Sequence, residues 1–286
     1  MGDLAWLDTV GIYGAGFMGS GIAESAARSG LNVILYEPEQ SALDRSRKRI
    51  GTSLVRAVEG DKLTQEEADR LMGRVSFSTS LEDLAPAQIA LEAIIEEVEI
   101  KHEAFSRMDQ ALPDARFIAS NTSSIPIARL ASATSRPERV LGLHFFSPVP
   151  VMKLVEVVVA LDTSRETVET ARAFAEQIGK RPIETKDRSG FIVNMLLVPY
   201  LMAAVRMFEE GFAGREDIDA GMQLGCGHPM GPLSLCDFIG LDVLYAVCES
   251  LYDEFKRDEY APPPLLKRMV ASGRLGRKSG RGFYQY

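Results

Sequence analysis

The chain has 286 residues and a formal net charge of −8, with 46% hydrophobic and 25% charged residues. That length suffices for one large domain or two of ordinary size, and the composition is that of a soluble globular protein. No cluster of Lys and Arg is long enough to indicate binding to nucleic acid or to a membrane surface.

The cysteines and the N-terminal segment indicate a cellular compartment. Cys226, Cys236 and Cys248 include no C-x-x-C pair and are odd in number, which favours a reduced, cytoplasmic protein. Residues 1–8 lack a basic segment followed by an apolar run, so no signal peptide is predicted.

Short apolar runs alternate with amphipathic stretches in the first two thirds of the chain, which predicts a mostly parallel sheet with right-handed crossovers. The predicted strands are 9–13, 32–36, 75–78, 89–93, 117–120, 140–144, 154–160 and 181–185. The predicted helices are 17–28, 40–58, 64–72, 97–112 and 166–178, with Thr64 and Glu67 forming a capping box at the third.

From about Asp187 the pattern contains helices only, at 191–208, 215–224, 232–255 and 264–272. The first is strongly apolar, but a spanning helix needs about 20 mostly apolar residues and this one is interrupted by polar residues and proline. We therefore predict a helix buried in protein, without membrane insertion.

These patterns predict two domains. The fold class is α/β, with a Rossmann-type doubly wound, mostly parallel sheet over 1–186 followed by an all-helical domain over 187–286. Because the helical part is too apolar to stand alone, we expect a homodimer built on its helices.

A glycine-rich turn follows the first strand and opens the first helix, which is the context that a dinucleotide-binding motif requires. The first glycine allows a tight turn, the second admits the pyrophosphate, and the third lets helix and strand pack closely. The N–H groups at the start of the helix would then hold the anion. The residues of this G-x-G-x-x-G are Gly14, Ala15, Gly16, Phe17, Met18 and Gly19.

Glu37 stands at the end of the second predicted strand, where a carboxylate accepts hydrogen bonds from the ribose hydroxyls. It also repels a 2′-phosphate, and the next residues, Pro38 and Glu39, offer no positive charge. NAD is therefore favoured over NADP. A solvated residue at the strand end and a flavin in place of NAD are the alternatives.

Of the 3 histidines, one is a candidate base. His102 falls on a charged predicted helix and His228 in a Gly- and Pro-rich turn, so a surface and a structural role are the simplest interpretations. His144 ends a predicted strand, and strand ends in such folds face the ligand crevice. Histidine is also well matched to taking a hydroxyl proton near neutral pH.

Glu156 lies in the next apolar strand, between Val155 and Val157. A buried carboxylate needs a partner, and His144 is the obvious candidate. A carboxylate on one imidazole nitrogen fixes the tautomer and stabilises the imidazolium. The alternative is an outward-facing residue on an edge strand.

Two blocks of sequence carry a specific resemblance. Residues 121–124 read NTSS and residues 142–156 read GLHFFSPVPVMKLVE, and both resemble signature blocks of the L-3-hydroxyacyl-CoA dehydrogenase family. Residues 190–194, 227–232 and 278–284 resemble further blocks of that family. The resemblance covers nearly the whole chain, in order.

The resemblance implies a dyad of His144 as base and Glu156 as its orienting partner, acting on an acyl-CoA thioester. Ser123 and Asn194 would bond the reacting oxygen and help to place the substrate and the nicotinamide. Beyond the glycine turn and Glu37, the implied cofactor-binding residues are Glu96, Lys101, Ser123, Ser147 and Lys278, and the implied substrate-binding residues are Ser53, Lys101, Ser123 and Asn194. The alternatives are a helix cap for Ser123, a polar residue in a buried helix for Asn194, and solvated side chains for Lys101, Lys278 and Ser53.

The chain departs from the family pattern at two places. Ser147 stands where the family usually has Asn, and the shorter hydroxyl changes the contact on the nicotinamide side or the substrate preference. The basic residue expected after Ser53 falls near Gly60, with Lys62 only loosely in place.

The reaction that this resemblance implies is the NAD-dependent oxidation of a (3S)-3-hydroxyacyl-CoA, with substrate between the two domains and no metal ion. A related dehydrogenase of a non-thioester 3-hydroxy acid, of the sugar-acid or carnitine type, is the nearest alternative. A catalytically inactive NAD-binding protein is the alternative from another class.

Overall fold

The computed structural model describes residues 6–286. The chain divides into two compact units, the first ending at Asp187 and the second beginning at Arg188.

The first unit is built on one sheet with helices beside it. Its strands are β1 Thr9–Tyr13, β2 Asn32–Tyr36, β3 Val75–Ser78, β4 Ile89–Glu92, β5 Ile118–Ser120, β6 Val140–Phe145, β7 Leu154–Val159 and β8 Arg181–Lys186. Its α-helices are α1 Phe17–Arg28, α2 Gln40–Glu59, α3 Gln65–Gly73, α4 Val98–Ala111, α5 Ile127–Ala131 and α6 Arg165–Gln177. Short 3₁₀ turns occupy Leu81–Leu84 and Pro137–Arg139.

The strands are ordered β3-β2-β1-β4-β5-β6-β7-β8. Neighbouring strands are parallel except β6 and β7, which are antiparallel. The predicted α/β class with a mostly parallel sheet is therefore confirmed. The strand order reverses between β1 and β4, and ligands of such folds bind at the carboxyl ends of the strands at this point.

Burial explains why the central strands read as continuous apolar runs rather than as alternating patterns. All six residues of β6 are buried, and so are all four of β4. A strand buried on both faces has no polar side to alternate with. The polar side chains that these strands do contain, Glu92 and His144, are therefore exceptions that require partners.

The predicted capping box at the start of α3 is confirmed. The Thr64 hydroxyl accepts from the backbone N–H of Glu67 at 3.2 Å, and the Glu67 carboxylate accepts from the N–H of Thr64 at 2.8 Å. Two N–H groups that the first turn would otherwise leave unsatisfied are thereby bonded.

The second unit is helical. Its α-helices are α7 Val193–Glu209, α8 Arg215–Cys226, α9 Pro232–Ile239, α10 Leu241–Phe255 and α11 Pro264–Ala271, followed by a 3₁₀ turn at Arg277–Ser279. The predicted single helix over 232–255 is wrong, because Gly240 has φ +101° and separates α9 from α10. The N–H of Gly240 donates the last hydrogen bond of α9, to Cys236 O. Its carbonyl accepts the first hydrogen bond of α10, from Leu244 N.

Helix α7 is less buried than the sequence predicts. Leu201, Met202 and Val205 are buried, but Leu196 is 73% exposed and Met207 is 38% exposed. One side of the helix thus lies open in the single chain. Among residues 6–286, no helix has both the length and the apolar content that crossing a membrane requires.

Candidate active site

The glycine turn follows β1 and has the conformation that its sequence requires. Gly14 has φ +115°, and a Cβ there would lie 2.5 Å from the carbonyl oxygen of Ala93. Its N–H donates to Tyr36 O at 2.9 Å, which ties the turn to the end of β2. A Cβ at Gly19 would overlap the carbonyl of Gly14, so α1 approaches the turn as closely as predicted.

The next part of the turn is open. Apart from the adjacent residues, the nearest atom to a Cβ placed at Gly16 would be the carbonyl oxygen of Ala93, at 3.8 Å. This is an ordinary van der Waals distance. Gly16 caps α1, which begins at Phe17 and carries Met18 in its first turn. Unblocked backbone at a helix N-terminus fits the pyrophosphate of a dinucleotide.

Glu37 lies directly after β2, beside this turn. Its Oε2 accepts from the N–H of Ala15 at 3.2 Å, and the side chain is half-buried. The carboxylate is thus fixed rather than freely solvated. This position suits a partner for the adenosine ribose and is unfavourable for a 2′-phosphate.

His144 and Glu156 face each other across β6 and β7. The two residues are register partners, and Nδ1 of His144 lies 2.7 Å from Oε2 of Glu156. His144 is 7% exposed and Glu156 is fully buried. Because a carboxylate accepts only, Nδ1 carries the proton and donates it. The edge-strand alternative for Glu156 is wrong, because β8 covers the other side of β7.

The ring of Phe146 lies 4.6 Å from the His144 ring, centroid to centroid, at an interplanar angle of 57°. Phe146 is half-buried, and Ser147 beyond it is exposed. An apolar wall therefore flanks the imidazole on the side where the chain leaves β6.

A buried ion pair links the end of β4 to α4, and a hydrogen bond joins β5 to it. The Glu92 carboxylate is fully buried and accepts from Nζ of Lys101 at 2.5 Å, from Oγ of Ser120 at 2.7 Å and from the N–H of Ile94 at 2.7 Å. Lys101 is 1% exposed. The solvated alternative for Lys101 is therefore wrong, and its predicted contacts with cofactor and substrate stay predictions.

Lys101 continues this network to Glu96, 3.2 Å from its amine. The Glu96 carboxylate accepts from Thr122 Oγ1 at 2.6 Å and from the N–H of Ser123 at 2.9 Å. Burial raises the pKa of Glu96, but Lys101 and these two donors outweigh it, so the pKa lies below its ordinary value. Glu96 is thereby held as a carboxylate that fixes the Ser123 turn.

The helix-cap alternative for Ser123 is wrong. The first N–H groups of α5, those of Ile127 and Ala128, donate to the Asp187 carboxylate at 2.9 and 2.8 Å. Ser123 instead belongs to the Glu96 network, because its hydroxyl also lies 3.3 Å from that carboxylate.

Three further predicted residues lie on other elements of the chain. Ser53, on α2, donates to the Glu24 carboxylate at 2.9 Å. In the second unit, Asn194 lies in the first turn of α7 and is half-buried. Lys278 pairs with Asp242 at 2.6 Å. The predicted ligand contacts of these three residues stay predictions.

The prediction that His228 has a structural contact agrees with the geometry, since its Nδ1 lies 3.2 Å from the Tyr200 hydroxyl. Glu92 was missed. It is a carboxylate between apolar strand residues, so the argument that singled out Glu156 applies to it equally.

Comparisons with known proteins show which family the chain resembles. The 3-hydroxyacyl-CoA dehydrogenase NAD-binding domain matches residues 9–188, and the C-terminal domain of the same family matches residues 190–286. The chain is 50% identical to a 3-hydroxybutyryl-CoA dehydrogenase of Mycobacterium tuberculosis, over 98% of this chain and 99% of that one. It is 41% identical to the human mitochondrial hydroxyacyl-coenzyme A dehydrogenase, over 97% of this chain and 90% of that one.

A solved structure is similar throughout. The crystal structure of (S)-3-hydroxybutyryl-CoA dehydrogenase PaaH1 from Ralstonia eutropha matches with a TM-score of 0.93 at 45% identity. The match covers 98% of this chain and 99% of that one.

Proposed function

This chain belongs to the 3-hydroxyacyl-CoA dehydrogenase family, and we propose that it oxidises a (3S)-3-hydroxyacyl-CoA to the 3-oxoacyl-CoA and catalyses the reverse reduction. It is an NAD-dependent oxidoreductase. The observation that carries the proposal is the 2.7 Å contact between His144 and Glu156. Relatives named for 3-hydroxybutyryl-CoA favour a short acyl chain as substrate.

NAD, when bound, accepts the hydride that leaves C3 of the substrate. The protein itself contributes proton transfer. A positioned base accelerates such a reaction by roughly 10² to 10⁴. The Nδ1–H of His144 donates a hydrogen bond to Glu156, so Nε2 is the nitrogen that takes the hydroxyl proton of the substrate. Glu156 holds this tautomer and stabilises the imidazolium that forms.

Ser123 is the proposed partner of the reacting oxygen. Its backbone N–H donates to Glu96 at 2.9 Å, and Glu96 is itself held by Lys101. A side chain on a turn fixed by two charged groups needs little reorganisation when the substrate binds. Asn194 and Lys278 are assigned to the same reaction by the family resemblance.

Two other functions use the same fold. A dehydrogenase of a sugar acid or of carnitine would need the dyad but not an apolar wall, and Phe146 beside His144 favours an acyl thioester. A protein that binds NAD without catalysis would not need a buried His144–Glu156 pair, whose desolvation is costly.

We assign NAD binding to residues 1–186 and self-association to residues 187–286. Large apolar side chains are exposed in the second unit, with Leu196 at 73%, Phe212 at 78% and Leu224 at 88%. Exposed apolar surface of this kind favours association of two copies. A charged Leu196→Lys variant should sediment as a smaller species, whereas the same change at Leu161, 90% exposed in the first unit, should not. Cytoplasmic location stays a prediction.

The test is the oxidation of NADH by acetoacetyl-CoA, followed at the absorbance of the reduced nicotinamide. His144→Gln should lower kcat by about 10² or more, while the Kd for NADH stays at the wild-type value. His102→Gln, on α4, is the matched control and should leave kcat unchanged.

Three outcomes would contradict the proposal. Near-normal turnover by His144→Gln would remove the mechanism. Turnover of a sugar acid or carnitine, with none of any acyl-CoA, would identify the alternative dehydrogenase. NADH binding without oxidation by any acyl thioester would identify a non-catalytic protein.

A further inference from the structure

Arg49 extends from α2 to the glycine turn. Its Nη1 donates to the carbonyl oxygen of Gly16 at 3.2 Å and to Oγ of Ser20 at 2.7 Å, and lies 3.4 Å from Ala15 O. The side chain is half-buried. A permanent positive charge is therefore held against the segment at which α1 begins.

The packing of α2 beside α1 fixes this position. Ser20 and Ser46 are both buried, and their hydroxyl oxygens lie 2.7 Å apart. The Ser20 hydroxyl donates to Gly16 O at 2.6 Å. A hydroxyl has one proton, so Ser20 must accept from both Ser46 and Arg49. The end of the Arg49 side chain is thus oriented by a hydrogen-bonded network rather than left to rotate.

Most of the guanidinium is available to a ligand. Among residues 6–286, Nε and Nη2 of Arg49 have no acceptor, and no carboxylate forms an ion pair with it. Arg28, on the neighbouring helix, is paired differently, because its Nη2 lies 2.7 Å from Glu24. A half-buried cation without a counterion is unfavourable unless an anion joins it.

The surroundings indicate which anion fits. The open backbone at Gly16 and the N-terminus of α1 favour negative charge at the same turn. A guanidinium binds phosphate oxygens in a bidentate manner. The Phe17 ring, 55% exposed, lies 5.8 Å from the centre of the Arg49 guanidinium and forms a wall beside it.

We propose that Arg49 binds a phosphate group of a nucleotide ligand seated at the glycine turn. The inference rests on the proposed function, because the two ligands of that reaction, NAD and an acyl-CoA, both carry a pyrophosphate. The chemistry of recognition is the same for either source, so the experiment has one arm for each.

The variant is Arg49→Gln, and the readouts are the Kd values of NADH and of free CoA, measured by calorimetry. Loss of a charge-assisted bond weakens binding by about 10- to 100-fold, and we expect a loss of that size for one of the two ligands. A higher Kd for NADH alone identifies the cofactor phosphates as the group that Arg49 binds. A higher Kd for CoA alone identifies the substrate phosphates.

Kinetics provide a second readout. If CoA is the source, Arg49→Gln raises the KM for acetoacetyl-CoA but not that for the N-acetylcysteamine thioester of acetoacetate, which has no phosphate. If NADH is the source, the KM values of both thioesters stay unchanged. Arg49→Lys keeps the positive charge but lacks the planar guanidinium. Its Kd and KM for the affected ligand should lie between those of the wild type and of Arg49→Gln.

Arg47→Gln is the matched control, because it removes the same charge from the same helix. The Arg47 guanidinium lies 4.2 Å from the Phe77 ring centroid, and the variant should bind both ligands as the wild type does. Unchanged Kd values for NADH and CoA in folded Arg49→Gln would overturn the proposal, as would equal losses in Arg47→Gln. The Kd measurements for NADH and CoA do not depend on turnover. If the protein proved inactive on acyl-CoA, the proposed function would be refuted, while the role of Arg49 could still be tested.

Discussion

His144 and Glu156 are directly opposed register partners on antiparallel neighbours, β6 and β7. Opposed residues of such a pair have Cβ atoms roughly 4.5–5.5 Å apart on the same face of the sheet. Nδ1 and Oε2 meet at 2.7 Å as a consequence. The base is thus oriented by the sheet itself, before any ligand binds.

Glu156→Gln tests this orientation. An amide has nearly the shape of the carboxylate but cannot stabilise an imidazolium, so we expect kcat to fall on the order of 10². The KM for NADH should stay unchanged. Steady-state kinetics over a range of pH measure both, with Glu184→Gln as control, because Glu184 lies on the neighbouring β8 and pairs with Arg165 at 3.0 Å.

The double variant His144→Gln with Glu156→Gln makes the test stricter. Residues that act as one unit are not additive, so the double variant should be no slower than His144→Gln alone. A further drop in kcat, multiplied from the two single effects, would show that Glu156 acts independently of His144.

Glu37 should determine the choice between NADH and NADPH. Two like charges about 4 Å apart repel by roughly 4 kcal/mol at an effective dielectric of 20. Glu37→Gln removes that repulsion and keeps an acceptor for Ala15 N, so the discrimination against NADPH should fall by about tenfold or more. Ratios of kcat/KM measure it. Glu39→Gln, an exposed neighbour, should leave the ratio as it is, and equal effects of the two variants would argue for a general charge effect.

The fold could be predicted because its signals are local. The central strands are buried on both faces and therefore read as apolar runs, and the glycine motif has its own backbone requirement at Gly14. The break at Gly240 was missed because apolar residues continue at helical spacing on both sides of it. A single glycine in such a pattern is compatible with a continuous helix, and only its φ of +101° reveals the break.

The site was predictable only where its residues carry a local sequence signal. The pairing of His144 with Glu156 follows from two polar residues in adjacent apolar strands. Glu92 meets that criterion too and was overlooked. Arg49 offers no sequence signal, because its position depends on how α2 packs against α1 through Ser20 and Ser46.

Glu92 should matter more for stability than an exposed acidic residue of the first unit. Removing one partner of a buried ion pair costs about 3–5 kcal/mol, so Glu92→Ala should lower the free energy of unfolding by that amount. Glu99→Ala is the control. Glu99 lies on α4, as Lys101 does, but its side chain is 83% exposed and pairs with Arg129. Exposed pairs contribute about 1 kcal/mol or less. Urea unfolding measures both, and similar losses would contradict the assigned role of the buried pair.

Lys180 should make stability depend on pH. The side chain is 9% exposed and donates to the carbonyls of Val149 and Met152. Burial lowers its pKa below the ordinary value of 10.5. Between the folded and unfolded pKa values the unfolded chain binds more protons than the native one, so the free energy of unfolding rises with pH in that window. Lys180→Met should abolish this rise in urea unfolding measured up to pH about 10.5. Lys153→Met, which removes the exposed lysine next to Met152, should retain the rise. An identical slope in wild type and Lys180→Met would refute the prediction.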